Sequence, residues 1–533
     1  MGNAPIPRAP ARPNRGIRLL KGIGALALIG YACAAAAQTQ AEQGRNRVEV
    51  LNADRWVFDK DVATGAQRLL GHVRLRQGGA NMACDSAHLY RDDRVKAYGN
   101  VVLTQGDTLR ITGDQLDFSG TAQTATITGQ VRLNDPGMVL ATEALHYDLK
   151  AQRADYAGGA RIVSRRDANT LTSGKGAYEA GPRIFTFSDS VVITGPEGVI
   201  RSDSLRYYTG SGEAKFLGPT WIILENTRMY CERGMYGTRS GKGSFTRAAR
   251  MVSDGQRLTG DSLLYDRHTG QGEGWGNITL VDTINQLTAT GERGMHNQTT
   301  GRSMITGRAE LLLPMDADTL FLHADTLFAS MDSSGKRLLA HRNVRFFKRD
   351  LQGVCDTLSY AMADSLISLR GQPFLWSGAD QINGDTVHIQ LSHGRAETLH
   401  VNGAAFLIAQ ADSTHFDQVA GSTMIGHFHA GELNRLVADG NARTVYFAKE
   451  TRDSLEQVTG VNRADCSVIH VGLDSGKVST VTFITQPSAT LYPLAQAPPD
   501  ELRLDGFRWN AAARPADRVD IFRQGPPAPP SGP

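Results

Sequence analysis

The chain has 533 residues, with 57 Lys plus Arg against 54 Asp plus Glu and a formal charge of +3. Five of the cations, Arg8, Arg12, Arg15, Arg18 and Lys21, stand in the first 37 residues, which hold no acid, so the remainder is nearly neutral at 52 against 54. That balance lacks the basic footprint of a nucleic-acid binder, and no nucleic acid is expected as a partner.

In chain order, residues 1–37 read as a signal peptide. A basic region precedes an apolar run from Gly22 to Ala37, and Ala35-Ala36-Ala37 ahead of polar Gln38 gives the small-residue pattern of a cleavage site. The run is shorter than the ~18 to 20 residues of a membrane-spanning helix, so the chain is expected to be exported. Cys33 offers a rival, acylation as a lipoprotein, against which Gly30 occupies the place where such signals carry Leu. Residues 38–47 form a polar lead-in.

From residue 48 to residue 450 two phrases alternate with a period near thirty. The first opens on an acid, as in Gly113-Asp114-Gln115-Leu116-Asp117-Phe118, Thr142-Glu143-Ala144-Leu145-His146-Tyr147, Ser202-Asp203-Ser204-Leu205-Arg206-Tyr207, Gly260-Asp261-Ser262-Leu263-Leu264-Tyr265 and Cys355-Asp356-Thr357-Leu358-Ser359-Tyr360. The second opens on a glycine, as in Gly71-His72-Val73-Arg74-Leu75, Gly99-Asn100-Val101-Val102-Leu103, Gly129-Gln130-Val131-Arg132-Leu133 and Gly276-Asn277-Ile278-Thr279-Leu280. A fixed period over most of a chain means one supersecondary unit stacked on its copies, which outranks the several globular domains that length alone suggests.

Apolar residues recur every second position, so the units are strands and not helices. In the acid phrase the large side chains fall two and four residues after the acid, including Trp56 and Phe58 after Asp54, while Gln115, Asp117, His146 and Arg206 take the other face. The expected fold is all-β: an elongated stacked β-jelly roll or solenoid of about thirteen ~30-residue repeats, in which each acid starts a short strand and Gly, Asn, Asp and Ser supply the turns. Acid-to-acid spacings of 31, 29 and 29 residues from Asp54 to Glu143, and of 33 from Glu292 to Asp325, place length variation in the loops.

Four cysteines follow the signal peptide. Cys84, Cys231 and Cys355 each directly precede an acid and lie four or five units apart, on the order of 20 Å if strands are ~4.8 Å apart, so free buried thiols are expected and not disulfides. Residues 451–497 read as a C-terminal β extension, and the Pro-rich residues 498–533 as a mostly disordered tail. His427 and His429 share a strand face with no third ligand at metal spacing. The acids recur too regularly for a catalytic pair, and no nucleophile elbow, zinc-binding His-Glu-x-x-His or phosphate loop is present, so neither an enzyme nor a cofactor is expected.

The acid, Leu and Tyr phrase followed by a Gly-Asn-Val strand resembles the OstA-like repeat of the lipopolysaccharide transport family. Phe416-Asp417-Gln418-Val419-Ala420-Gly421-Ser422-Thr423-Met424, Gly440-Asn441-Ala442-Arg443-Thr444-Val445-Tyr446, Gly460-Val461-Asn462-Arg463-Ala464-Asp465-Cys466, Tyr492-Pro493 and Gly506-Phe507-Arg508-Trp509 look like the large OstA-like proteins of some Gram-negative bacteria. Too little chain follows residue 450 for the outer-membrane barrel that accompanies such repeats in the translocon. The resemblance implies a V-shaped open β-jelly roll in the periplasm, possible association with the outer membrane included, whose apolar interior holds the acyl chains of lipopolysaccharide or a related lipid. It also implies edge-to-edge β pairing with other transport components. The groove candidates are Val73, Leu75, Val101, Leu103, Leu116, Phe118, Val131, Leu133, Leu145, Tyr147, Leu205, Tyr207, Leu263, Tyr265, Leu358 and Tyr360. Two other classes fit the same alternation: an exported polysaccharide-binding or polysaccharide-cleaving β-helix, marked by clustered acids and exposed aromatics, and a purely structural solenoid with a sealed interior.

Overall fold

A computed structural model describes residues 47–523 except 59–64, 108, 316–317, 431, 453–454 and 475–476. The signal peptide therefore lies outside the described residues, as does the lead-in up to residue 46. The fold is all-β: among the described residues there are 36 strands, and their pairings are antiparallel. It divides into two compact units, one of Met1–Ile162 with Ala177–Pro182 and one of Val163–Gly176 with Arg183–Pro533.

In the first unit the strands Gln67–Gln77, Ala80–Leu89, Arg94–Gln105, Leu109–Ser119, Thr124–Asp135 and Met138–Asp148 form a meander, each paired with the next. These strands are 10 to 12 residues long, longer than the short strands expected. In these strands the acids and glycines lie at mid-strand and not at the start; Asp54, Glu232 and Asp385 do stand immediately before the strands Arg55–Phe58, Arg233–Gly237 and Thr386–Ser392. Gly71 and His72 take φ of +77° and +43°, and pairing skips from Leu70 opposite Ser86 to Val73 opposite Cys84, leaving two residues facing Asp85 alone. This is a β-bulge with glycine in the left-handed region, which bends the strand without ending its ladder.

The acid belongs to the same corner. A Cβ on Gly129 would lie 2.3 Å from Asp114 Oδ2, and the same holds for Gly71 against Asp54 and Gly276 against Asp261. The residue after the glycine also reaches the carboxylate: the side-chain amides of Asn100 and Asn277 donate to Asp85 and Asp261, each at 2.9 Å. Acid and glycine thus recur together because the acid fills the space that a missing Cβ leaves. In the second unit the roles are exchanged once, where Asp189 and Ser190 take positive φ and Asp189 packs against Gly174 of the paired segment.

Each corner divides a strand into two arms. Along the arms alternate side chains point inward and are buried, and Gln115, Asp117, His146 and Arg206 face solvent. Trp56 and Phe58 depart from the expected pattern. They stack on each other at 5.8 Å and are 49% and 68% exposed, because their strand Arg55–Phe58 is a terminal one whose recorded pairing is to Gln67–Gln77 only.

The second unit repeats the design with longer strands, among them Arg302–Met315, Asp318–Asp332, Gly335–Lys348 and Arg395–Gln410 at 14 to 16 residues. Over residues 498–523 its C-terminal segment is ordered, unlike the disordered tail expected from residue 498; residues 524–533 of that tail lie outside the described residues. After the strand Ser488–Pro493 the chain continues in short 3-10 turns to Phe522 and runs back over the outer sheet face, with Leu504 and Ile521 buried. Such a strap has no ladder of its own, so its backbone groups need side-chain partners. Gln418 takes a hydrogen from Leu504 N and gives one to Leu502 O, and Gln381 does the same with Asn510 N and Arg508 O. Arg514 grips Gln352 Oε1, and Arg518 clamps both oxygens of buried Glu310 at 2.6 and 2.8 Å. Beneath the strap Phe406, Ile408, Val445 and Phe447 form an apolar cluster with Leu504, against which Phe507 and Trp509 pack.

Candidate functional site

Where the long strands bend at their corners, the two arms face each other across an interior, and their far ends form two rims. Side chains tie the rims together at intervals. In the first unit Gln77 donates to Gly120 O at 3.0 Å, Tyr147 donates to Gln105, and Tyr178 donates to Asp135 at 3.0 Å. In the second, Asp167 accepts from both Tyr207 and Arg239, Gln298 donates to Ser253, and Lys336 forms an ion pair with Asp282. Each tie joins residues forty or more apart in sequence, which only facing arms can bring together.

The Asp282–Lys336 pair is an ion pair taken largely out of water, with side-chain exposures of 1% and 9%. Burial alone would raise the Asp282 pKa, but hydrogen bonds from Lys336 and from Asn285 outweigh it and hold the carboxyl down to about 2. Lys336 also lines the end of a narrow cavity of about 50 Å³ walled by Leu280, Leu311, Leu322, Leu338, Leu358 and Tyr360.

A larger cavity of about 310 Å³ follows and shares Leu320, Leu358 and Ile367 with the narrow one. Met315, Phe346 and Leu351 line it from one set of arms, Ile389 and Leu391 from the other, and Phe428 closes one end. Its mouth lies between the rims, with Asp318, Lys348, Arg349 and Asp350 on one side and Gly394, Arg395 and Ala396 on the other. Lys348 pairs with Asp350, and Asp318 accepts from the backbone N–H groups of Thr319 and Arg349, which lower its pKa. The arrangement is an apolar slot under a charged lip that, among the described residues, carries Lys348, Arg349 and Arg395 with Asp318 and Asp350. Volumes of ~300 to 1,000 Å³ lined by apolar groups, with a few polar groups at one end, are those of small-ligand sites.

The sixteen groove candidates all face the interior, but they do not form one open site. The thirteen from Val73 to Leu263 are each at most 2% exposed, and Tyr265 is 6% exposed. Leu358 and Tyr360 line the cavities. Leu320, Leu351, Ile367, Ile389, Leu391 and the three cations of the lip were not singled out from the sequence; the 33-residue spacing between Glu292 and Asp325, which marks the longer arms, is the sign that points to them.

Two further groups face inward beside this region. Asp380 and Asp417 stand opposite Ala409 on either side. Burial pushes the Asp380 carboxyl up to about 7, helped by the charge of Asp417, and burial pushes Asp417 up to about 6 against a hydrogen bond from Phe447 N. The thiols of Cys84, Cys231, Cys355 and Cys466 are free, the first three buried.

A protein-family model described as OstA-like protein matches residues 45–203. No curated protein matches the chain. The resemblance drawn from the repeat thus holds as an OstA-like family assignment over that stretch, and corners of the same kind continue past it, through Gly276, Gly307, Gly403 and Gly440.

Proposed function

We propose, from the OstA-like repeats and the interior they enclose, that this protein is a non-catalytic lipid-binding protein of lipopolysaccharide transport and outer-membrane assembly. It is exported to the periplasm and shelters acyl chains between its arms. The observation that carries this reading is the apolar cavity around Leu320, Leu358, Ile367 and Ile389, set in an all-β repeat with an OstA-like N-terminal stretch. Shielding a methylene from water is worth ~0.8 kcal/mol, so ten of them contribute about 8 kcal/mol before the tail's lost freedom is subtracted. That holds a lipid in transit and still lets it go.

Leu358 and Tyr360 are the candidates that meet the tail directly. The others line closed stretches of the apolar interior of their own unit, buried behind the rim ties. Edge-to-edge partners find a surface at the terminal strands Glu49–Asn52 and Arg55–Phe58, where Leu51, Trp56 and Phe58 are exposed and an added strand would extend the ladder.

The test is site-specific photo-crosslinking in cells. A photoreactive residue at Leu358 should capture an acylated lipid, and one at the outward Gln115 should not. Capture at Gln115 with none at Leu358 would overturn the reading.

A further inference from the structure

The strap follows one row of outward side chains. Residues directly opposite each other on neighbouring strands share a face, and the register links Phe406, Asn383, Phe374, Val354, Arg345, His323 and Glu310 in a line across the second unit. Phe507 packs edge-on against Phe406, the Arg508 guanidinium lies over Phe374, Arg345 donates to Ala513 O, Phe522 sits on His323 and Arg518 clamps Glu310. The row does not stop there. It runs on through Thr290, Thr279 and Thr259 to Arg250, Tyr230, Trp221 and Arg201. We propose that this second half of the row is a docking surface for a proline-rich segment, and that its occupant is the stretch of this chain beginning at Gln524, where the strap leaves off. The inference stands apart from the lipid reading and needs nothing from the interior.

The two halves of the face differ in hydrogen-bonding chemistry, and each suits its own stretch of chain. Under the strap stand Gln381 and Gln418, which both donate and accept, against a backbone that offers N–H and C=O alike. The second half offers donors. Arg201 and Arg250 stand in the row, and Arg228 and Arg257 flank Val252 in the row beside it. Among the described residues none of these four has a carboxylate or carbonyl partner, and Arg250 is held by ring contacts, 4.8 Å from Trp221 and 4.5 Å from Tyr230. Residues 524–533 read Gln-Gly-Pro-Pro-Ala-Pro-Pro-Ser-Gly-Pro, and their five prolines bring carbonyls but no N–H. A guanidinium, all donor, fits such an acceptor-rich backbone, where a glutamine would leave its own oxygen unused. The rings fit as well, since proline-rich segments dock on aromatic surfaces, and Trp221 is 37% exposed with Tyr230 beside it at 5.0 Å. Length agrees with chemistry. From His323, under Phe522, the row passes Glu310, Thr290, Thr279, Thr259 and Arg250 to Tyr230, six strand spacings or ~29 Å at ~4.8 Å each. Ten proline-rich residues at ~3.1 Å each cover ~31 Å. The three threonines between are short and half-buried, so they leave the lane clear.

The test places a photoreactive residue at Ser531 of the full exported chain. On irradiation it should crosslink within its own chain, to the strands Thr227–Cys231 or Lys242–Ser253, as read by mass spectrometry of the digested monomer. Trp221→Ala combined with Arg250→Gln should cut that yield by about fivefold or more. Both side chains are exposed, so the thermal midpoint should stay where it is; if it falls, Arg201→Gln with Arg228→Gln takes the place of that variant. Crosslinks formed only with a second copy would make the row an interface between copies and overturn the assignment to the chain's own segment. Crosslinks to other faces alone, or none at all, overturn the docking. A yield that neither variant lowers overturns the roles given to the rings and the guanidinium groups.

Discussion

The ammonium of Lys336 and the carboxylate of Asp282 meet across the interior, joining the arm of Gly335–Lys348 to the arm of Gln271–Asp282 from opposite rims. A buried pair of this kind is dangerous to break from one side, because the remaining charge loses its partner without gaining water. Lys336→Met should therefore lower the unfolding free energy by about 3 to 5 kcal/mol, and the double variant Lys336→Met, Asp282→Leu should recover much of it. Denaturant titration of the single and double variants checks this. The pair also sets a pH window. Since the Asp282 carboxyl is held below its usual value, it adds stability that is complete above pH ~4 and is lost as the pH falls toward 2.

The corner chemistry predicts a graded response to Gly→Ala substitution. At Gly129 the new methyl would meet the Asp114 carboxylate at 2.3 Å on a backbone with φ of +81°, so Gly129→Ala should cost about 2 kcal/mol or more. At Gly78, also left-handed but with nothing within 4 Å, the loss should be nearer ~1 kcal/mol. Combining Gly129→Ala with Asp114→Ala should be less harmful than the sum of the two, since the contact they share is counted twice. Thermal melts of the four proteins decide the matter.

The strap should come loose when its clamps are removed. Gln381→Ala leaves Asn510 N and Arg508 O without their partner, and Arg518→Ala leaves buried Glu310 without its cation, each at about 1 to 3 kcal/mol. With both changes, limited proteolysis should release the C-terminal residues well before the sheet unfolds, and an apolar dye should bind the bared face around Phe406 and Ile408. Resistance equal to that of the unsubstituted chain would show that the apolar contacts of Phe507 and Trp509 hold the strap without the clamps.

The inward acids work in the opposite sense to Asp282. Asp380 and Asp417 have pKa values raised by burial to about 7 and about 6, so the folded chain retains protons there that the unfolded chain has released. Stability from this source is complete below pH ~4 and is lost as the pH rises through 6 to 7, with Lys449 offsetting part of the effect at Asp417 and Asp412 adding to it. Asp380→Asn should flatten the pH dependence between 5 and 8 and raise stability at pH 7.5 by roughly 1 to 3 kcal/mol. Denaturation midpoints across that range would show a flat profile in the unsubstituted chain if the account were wrong.

The buried thiols should be silent until the chain opens. Burial raises the pKa of Cys84 to about 11 and of Cys231 to about 12, and pushes Cys355 up as well. At pH 8 these three should resist alkylation in the native protein and all react in denaturant, while the partly exposed Cys466 reacts earlier.

Much of the fold is written in the repeat. The alternation that buries Leu116 and Phe118 while Gln115 and Asp117 face water needs only a period of two to be seen. The acid was misplaced for a physical reason. Gly99-Asn100 carries the two positive φ values that a hairpin turn demands, and the same backbone serves a mid-strand bend, so sequence does not tell the two apart. True hairpin turns lie instead between strands, as at Gly78-Gly79 and Pro136-Gly137. The strap was hidden because its partners Gln381, Gln418 and Glu310 stand 84 to 208 residues away. The cavity was hidden because inward Leu residues look alike whether their neighbours fill the space, as at Leu133, or leave it open, as at Leu358.

The most direct measurement is a native mass spectrum of the full exported chain after incubation with the lipid extract of a lipopolysaccharide-producing bacterium. A single acylated lipid bound per chain, lost on Leu358→Trp, is the result expected. A spectrum showing the bare polypeptide alone would contradict the claim that the interior receives a fatty tail.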